Sequence, residues 1–413
     1  MQHLLLGCAL LVTAVQLWLH ALNLRHLRRH EAEVPLELAN EIDPVTLAKS
    51  ARYTRERARV QLVATLVTRT ALLFALFGGL AEIYDRWIGQ LTSSFVGGAV
   101  LYFLGLALLT SALSLPFSLY QTFVVEARHG FNRTTAGLWL ADFTKGALLS
   151  SLLLALCASA GAALVQASPR AYWLWVWVGL CVLGVVLTLL GPVLIEPLFF
   201  KVEPLAVEGL EPRIRALAER AGVHVKRVFQ IDASRRSSHS NAYFTGIGPV
   251  KRVVLFDTLI ERMTHAEILG VLAHELGHWK LRHVMQRFLV GQALTLAVCY
   301  GAFRLLAWQE LPGLIGASDG SFFLRVTIVG FLGSLLDFPA TPLFSAWSRR
   351  HEWQADRFAC ELTGDAAALA SGLAKLARDN LSNLHPHPLY AAFYGSHPPM
   401  TERVARLRAS AAH

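Results

Sequence analysis

The chain has 413 residues, of which 54% are hydrophobic and 16% charged, and its mean hydropathy is +0.43. A soluble domain carries about 25% charged residues, so this composition excludes an ordinary soluble protein and points to one embedded in a membrane. The net charge of +9 sits mostly in loops between apolar runs, with no glycine-rich phosphate loop or RNA-binding signature, so no nucleic-acid partner is expected.

Seven apolar runs are long enough to span a bilayer, at about 3–23, 60–82, 95–118, 146–167, 172–196, 285–308 and 322–347. The first lacks a basic leader and a small-residue cleavage site, so it reads as a retained helix and not as a signal peptide. Loop charges orient the set. Eight Lys and Arg residues lie between Arg25 and Arg59, whereas the second loop offers Arg86 alone, balanced by Asp85. The third loop holds Arg128, Arg133 and Lys145, the fourth only Arg170, and the loop at 309–321 has Glu310 and Asp319 with no Lys or Arg. Basic and poor loops alternate, which predicts an outside N-terminus and a cytosolic C-terminus.

Several ionisable residues fall within or at the ends of these runs. Glu196, Arg287, Arg304 and Arg325 lie near helix ends, where long side chains snorkel, while Arg69 and Asp337 lie deeper and are candidates for a wet interior. Pro339 and Pro342 are expected to break the seventh helix. Five scattered cysteines without a C-x-x-C pair imply neither a disulfide framework nor a sulfur-ligated metal. The organisation expected is membrane helices 1–5 over 1–198, a cytosolic segment over 199–284, helices 6 and 7 over 285–347, and a cytosolic C-terminal segment over 348–413.

The first cytosolic segment reads as a helical stretch from Pro212 to Ala221, then short strands near Val225–Ile231, Ala242–Gly246 and Val253–Phe256. Thr264 with Glu267 makes a capping box before an apolar run, so a helix starts near residue 265 and can run straight on into the sixth membrane helix. On it stands His-Glu-Leu-Gly-His at 274–278. His274 and His278 lie one turn apart on one face, close enough to hold one metal ion, with Glu275 placed to take a proton from water. This is the H-E-x-x-H arrangement of zinc metalloproteases.

Catalytic zinc takes three protein ligands. His283 is the nearest histidine downstream, but its spacing does not fit the extended H-E-x-x-H-x-x-G-x-x-H pattern: Leu281 and Val284 occupy the diagnostic positions. The better candidate is Glu352, in Arg-His-Glu-Trp-Gln-Ala-Asp at 350–356, with Asp356 one turn on to hydrogen-bond the far nitrogen of a ligand histidine. Helices 6 and 7 form a hairpin between the two segments, and folding it brings Glu352 within reach of His274 and His278.

With these residues in place the chain resembles the type I CAAX prenyl proteases, integral-membrane zinc metalloendopeptidases. Nearly the whole chain carries the likeness: the seven helices, the segments at 274–280 and 351–356, Val-Val-Glu-Ala-Arg-His-Gly-Phe-Asn-Arg-Thr-Thr at 124–135, Ser-Asn-Ala-Tyr-Phe-Thr-Gly at 240–246, and Ser-His-Pro-Pro-Met-Thr-Glu-Arg at 396–403. The resemblance implies an all-α membrane protein, a barrel of seven helices around a large chamber, with a small cytosolic α+β zinc-protease domain. It implies one Zn2+ held by His274, His278 and Glu352, with Glu275 as catalytic base and Asp356 as partner of a ligand histidine. His397 and Arg403 are implied to face the site, where they would steady an oxyanion. Asn241 and Ala242 look like the edge to which a substrate peptide adds as a further strand.

The expected activity is peptide hydrolysis by zinc-activated water, with C-terminal processing of a peptide or protein substrate, possibly prenylated, at a lipid membrane. The tail, Arg-Ala-Ser-Ala-Ala-His, carries no endoplasmic-reticulum retrieval signal, and a bacterial inner membrane is the expected location. A quality-control enzyme resembling the heat-shock membrane zinc proteases is the runner-up, but those have fewer spans. A metal transporter would hold its ligands near the bilayer midplane, commonly between internal repeats, and no repeat is found. A silent scaffold would have lost Glu275 or a ligand.

Overall fold

The structure, a computed structural model, describes residues 1–245 and 250–411; the expected strand end at Gly246 lies outside them. Among the described residues, seven helices are long and apolar enough to cross a membrane. The chain opens with α1 (Gln2–His30), α2 (Pro44–Phe77), α3 (Leu80–Leu91), α4 (Phe95–Tyr120), α5 (Ala136–Ala167), α6 (Tyr172–Leu190) and the single turn α7 (Glu196–Phe199). All seven expected runs are helical, yet several helices outrun them. In α2 the Asp43 side chain accepts from the Val45 and Thr46 amides and Pro44 takes the first helical position, so the basic stretch up to Arg59 is already helix. The same helix stops at Phe77, short of the expected end, because Gly79 adopts φ +82°.

A four-stranded sheet follows, formed by β1 (Val202–Pro204), β2 (His224–Ile231), β3 (Ala242–Thr245) and β4 (Val250–Phe256) in the order β1-β2-β4-β3. β2 and β4 run parallel, with α8 (Leu210–Arg220) near one end, while β1 and β3 pair antiparallel on the two edges. β1 was not expected, since three residues ending in Pro204 carry no strand periodicity. After α9 (Asp257–Arg262) and α10 (His265–Lys280) come α11 (His283–Leu306) and α12 (Phe322–Thr363), then α13 (Ala366–Asp379), α14 (Pro388–Tyr394) and α15 (Met400–Ala411).

Two expectations about helix breaks are reversed. α10 does not run on into α11: Arg282 sits at φ +58°, a left-handed conformation that ends one helix and starts the next at an angle. α12, conversely, is unbroken for 42 residues with Pro339 and Pro342 inside it. Each proline removes one amide donor, leaving the Leu335 and Phe338 carbonyls without their helical partners, and the helix continues past both. The consequence is that Glu352 rides on the rigid extension of a membrane helix.

The segments 199–284 and 348–413 share one core. Leu272, Ala273 and Leu276 of α10 pack with Val253 and Leu255 of β4, Leu369 and Ala374 of α13, and Val404 of α15, all nearly inaccessible to solvent. Leu38 and Ile42, from the connection between α1 and α2, and Leu47, in the first turn of α2, join the same cluster. Burial of this apolar set fixes α10 and α12 against each other.

Candidate metal centre

α10 starts at a complete capping box. The Thr264 hydroxyl accepts from the Glu267 amide at 3.3 Å and the Glu267 carboxylate accepts from the Thr264 amide at 2.8 Å. Glu267 also accepts from Ser371 at 2.7 Å and Lys375 at 2.8 Å, which ties the helix start to α13. Two glycines then let α10 lie against its neighbours. A Cβ at Gly270 would meet the Leu369 backbone at 3.1 Å, and one at Gly277 would meet the Ala355 Cα at 3.0 Å. Gly277 thus sets how close the histidines come to α12.

The hairpin does bring Glu352 to the histidines. One donor atom each from His274, His278 and Glu352 lie within 4.8 Å of one another. The two Nε2 atoms are 3.3 Å apart, and the Glu352 oxygens stand 3.3 Å from His274 Nε2 and 3.4 Å from His278 Nε2. His274 and Glu352 are buried, and His278 is partly so. Glu352 Oε2 is buried, with His274 Nε2 at 3.3 Å and His397 Nδ1 at 2.7 Å and neither in good hydrogen-bonding alignment. A buried anionic oxygen facing two imidazole nitrogens needs a cation, and two nitrogens with one carboxylate oxygen form the donor set of catalytic zinc. The residues therefore fit a metal.

Asp356 lies where the sequence places it. Its Oδ1 accepts from His274 Nδ1 at 2.8 Å, so the ring offers its Nε2 lone pair. Arg403 clamps the same carboxylate with two bonds, Nε to Oδ2 at 2.9 Å and a terminal nitrogen to Oδ1 at 2.6 Å. The guanidinium also comes within 3.3 Å of His274 Nδ1, a packing distance, because that nitrogen's proton points to Asp356. In the metal-free state burial opposes charge on His274, but its bonds to Asp356 and Glu352 outweigh it and raise its pKa to about 9. Arg403 is buried to 4% exposure. Two of its nitrogens bond Asp356, and the third, Nη1, stands 3.8 Å from Glu352 Oε2, beside the ligand set. His397 is open, with 62% of its side chain exposed beside Glu352.

Glu275 is half-buried, and no hydrogen bond or ion pair among the described residues takes up its carboxylate, leaving it available to a water. Asn241 is exposed and immediately precedes β3, an edge strand, while Ala242 is buried. The Asn241 side chain accepts from the Ala242 amide at 2.9 Å and its carbonyl accepts from the Phe256 amide at 3.1 Å, pinning the strand's start to β4. Asn241 also lines a cavity of about 1090 Å³ whose wall includes Tyr53, Glu126 and His239. Asp337, expected near a wet interior, is exposed and lines a second cavity of about 520 Å³ with Arg287. His283, set aside as a ligand on its spacing, touches His278, with the two Nδ1 atoms 3.1 Å apart. No periodicity could pair them, because the break at Arg282 lies between.

Residues 23–201 match the family described as CAAX prenyl protease N-terminal, five membrane helices, and residues 204–411 match peptidase family M48. A CAAX prenyl protease 1 homolog of Arabidopsis thaliana is 34% identical over 395 residues, spanning 90% of this chain and 89% of that protein. The Homo sapiens homolog of the same name is 31% identical over 449 residues, spanning 94% and 91%. The crystal structure of S. mikatae Ste24p superposes with a TM-score of 0.89 at 28% identity, covering 98% of each chain.

Proposed function

Because the chain belongs to peptidase family M48, and within it to the CAAX prenyl proteases, we propose that it trims the C-terminal end of prenylated CAAX-type substrates at a zinc site held by His274, His278 and Glu352. It is an integral-membrane metalloprotease, and its substrates are peptides or proteins. The observation that carries the zinc assignment is the convergence of one ligand atom each from His274, His278 and the buried Glu352 within 4.8 Å of one another.

Zinc, when bound, supplies a Lewis acid that polarises the scissile carbonyl and makes water acidic enough to ionise near neutral pH. Glu275 takes the proton of the attacking water and returns it to the leaving amine. His397, open to solvent beside Glu352, donates to the carbonyl oxygen as negative charge grows on it. Asp356 holds His274 in the tautomer that presents Nε2. Arg403 neutralises Asp356 and fixes its position, and its remaining nitrogen, 3.8 Å from Glu352, adds positive charge beside the growing oxyanion. The free edge of β3, beginning at Asn241 and Ala242, receives the peptide backbone as an added strand. The alternation of basic loops supports a cytosolic site and C-terminus with the N-terminus outside.

The test is a cleavage assay on a farnesylated CAAX peptide beside its unmodified twin. Faster cleavage of the farnesylated peptide is expected. Equal rates would remove prenyl recognition and favour a quality-control protease.

A further inference from the structure

We infer that His283, anchored by Gln354, is a positioning residue for the ligand His278, fixing the tautomer and ring plane that present its Nε2 lone pair to the metal. This rests on the zinc reading of the site. His283 Nε2 stands 2.9 Å from Gln354 Oε1, and an amide oxygen only accepts, so the His283 proton sits on Nε2. Its Nδ1 is then an acceptor. That nitrogen lies 3.1 Å from His278 Nδ1, which must donate the hydrogen of this contact. A neutral imidazole has one N–H, so His278 is left with a bare Nε2, the atom that faces His274 Nε2 and Glu352.

The placement of His283 is built. It is 2% exposed, and its ring stacks on His351 with centroids 4.0 Å apart and planes 4° from parallel. The left-handed Arg282, an uncommon conformation for a residue with a side chain, turns the chain so that His283 folds back under His278. His351, Glu352, Gln354 and Asp356 all come from one stretch of α12, which therefore supplies the third ligand and the anchors of both histidines.

The two ligand histidines are held differently. His274 has an anion, Asp356, whose charge Arg403 offsets; His278 has a neutral ring. Neither partner adds net negative charge beyond that of the Glu352 carboxylate. Outer partners of ligand histidines are worth about 10–100-fold in metal affinity.

The experiment measures zinc affinity of the purified full-length protein by competition with a chromophoric chelator, alongside the thermal midpoint of the metal-free protein. Three variants are compared with wild type: His283→Phe, which keeps the stack on His351 but offers no acceptor; His283→Asn, whose amide reproduces the Nδ1 position; and Gln354→Leu. His283→Phe and Gln354→Leu are expected to weaken zinc binding about 10–100-fold, with metal-free midpoints close to wild type and His283→Asn recovering most of the affinity. Wild-type affinity in His283→Phe overturns the inference. So does an equal loss in Phe and Asn variants, or a loss matched by a fall of the metal-free midpoint, since either marks a packing role. A wild-type protein that takes up no zinc, as Glu352→Ala is expected to, overturns the metal reading itself and this inference with it.

Discussion

Gly277 and Ala355 touch across the site: a Cβ at position 277 would stand 3.0 Å from the Ala355 Cα and 3.2 Å from its carbonyl oxygen. The glycine inside His-Glu-Leu-Gly-His is therefore the contact that sets the spacing between the two ligand-bearing helices.

Gly277→Ala should separate function from stability. Alanine favours helix by about 1 kcal/mol over glycine, while overpacking against backbone costs roughly 1–3 kcal/mol, so the net change in stability is small. The ligands sit on the two helices that must move apart, and zinc affinity and cleavage should fall at least about tenfold. Gly270→Ala meets the Leu369 backbone at 3.1 Å, two turns before Gly277 and against α13 instead of α12, and should move the thermal midpoint with little effect on zinc affinity. Equal zinc affinity in Gly277→Ala and wild type would show that this contact does not set the site.

Zinc uptake should release protons. In the metal-free protein His274 is raised to about 9 by Asp356 and Glu352, so at pH 7 it is protonated and must lose its proton to become a ligand. Sign follows directly: affinity rises with pH up to about 9 and levels off above it. Calorimetry in buffers of different ionisation enthalpy should give about one proton released per zinc at pH 7. Asp356→Asn, which removes the main carboxylate raising that pKa, should reduce the release.

Glu267 should stabilise the soluble domain only when ionised. Burial alone would raise its pKa, but Lys375, Ser371 and the Thr264 amide outweigh burial and hold it below the usual glutamate value. A depressed carboxylate contributes stability above its unfolded value, about 4.3, and loses it as pH falls through the folded one. Glu267→Gln should lower the thermal midpoint at pH 7, by an amount equivalent to about 1–3 kcal/mol, and the gap should close as the pH drops below roughly 4. A gap that is constant from pH 7 to pH 4 would show that ionisation of Glu267 plays no part.

Much of this arrangement was legible in the residues. His274, Glu275 and His278 follow from helical spacing, and Glu352 and Asp356 from the same spacing on a second helix joined by a two-span hairpin. The apolar runs gave seven membrane helices because hydrophobicity over about 20 residues is a local property. What was not legible depends on backbone conformation and on side-chain direction. The left-handed Arg282 breaks a pattern that periodicity reads as continuous, and it hid the contact of His283 with His278. Pro339 and Pro342 read as a break because proline ends isolated helices, whereas here α12 passes through both. Arg403 was read as facing the site, but its two-bond clamp on Asp356 was not legible, because no helical spacing links residues 356 and 403.

The most direct test of the central claim compares wild type with Glu275→Gln, measuring zinc content and peptide cleavage on the same preparations. The expected result is about one zinc per chain in both, with cleavage lowered by about 10²–10⁴-fold in the variant, the range for loss of a general base. A Glu275→Gln protein that holds zinc and cleaves at the wild-type rate would contradict the account.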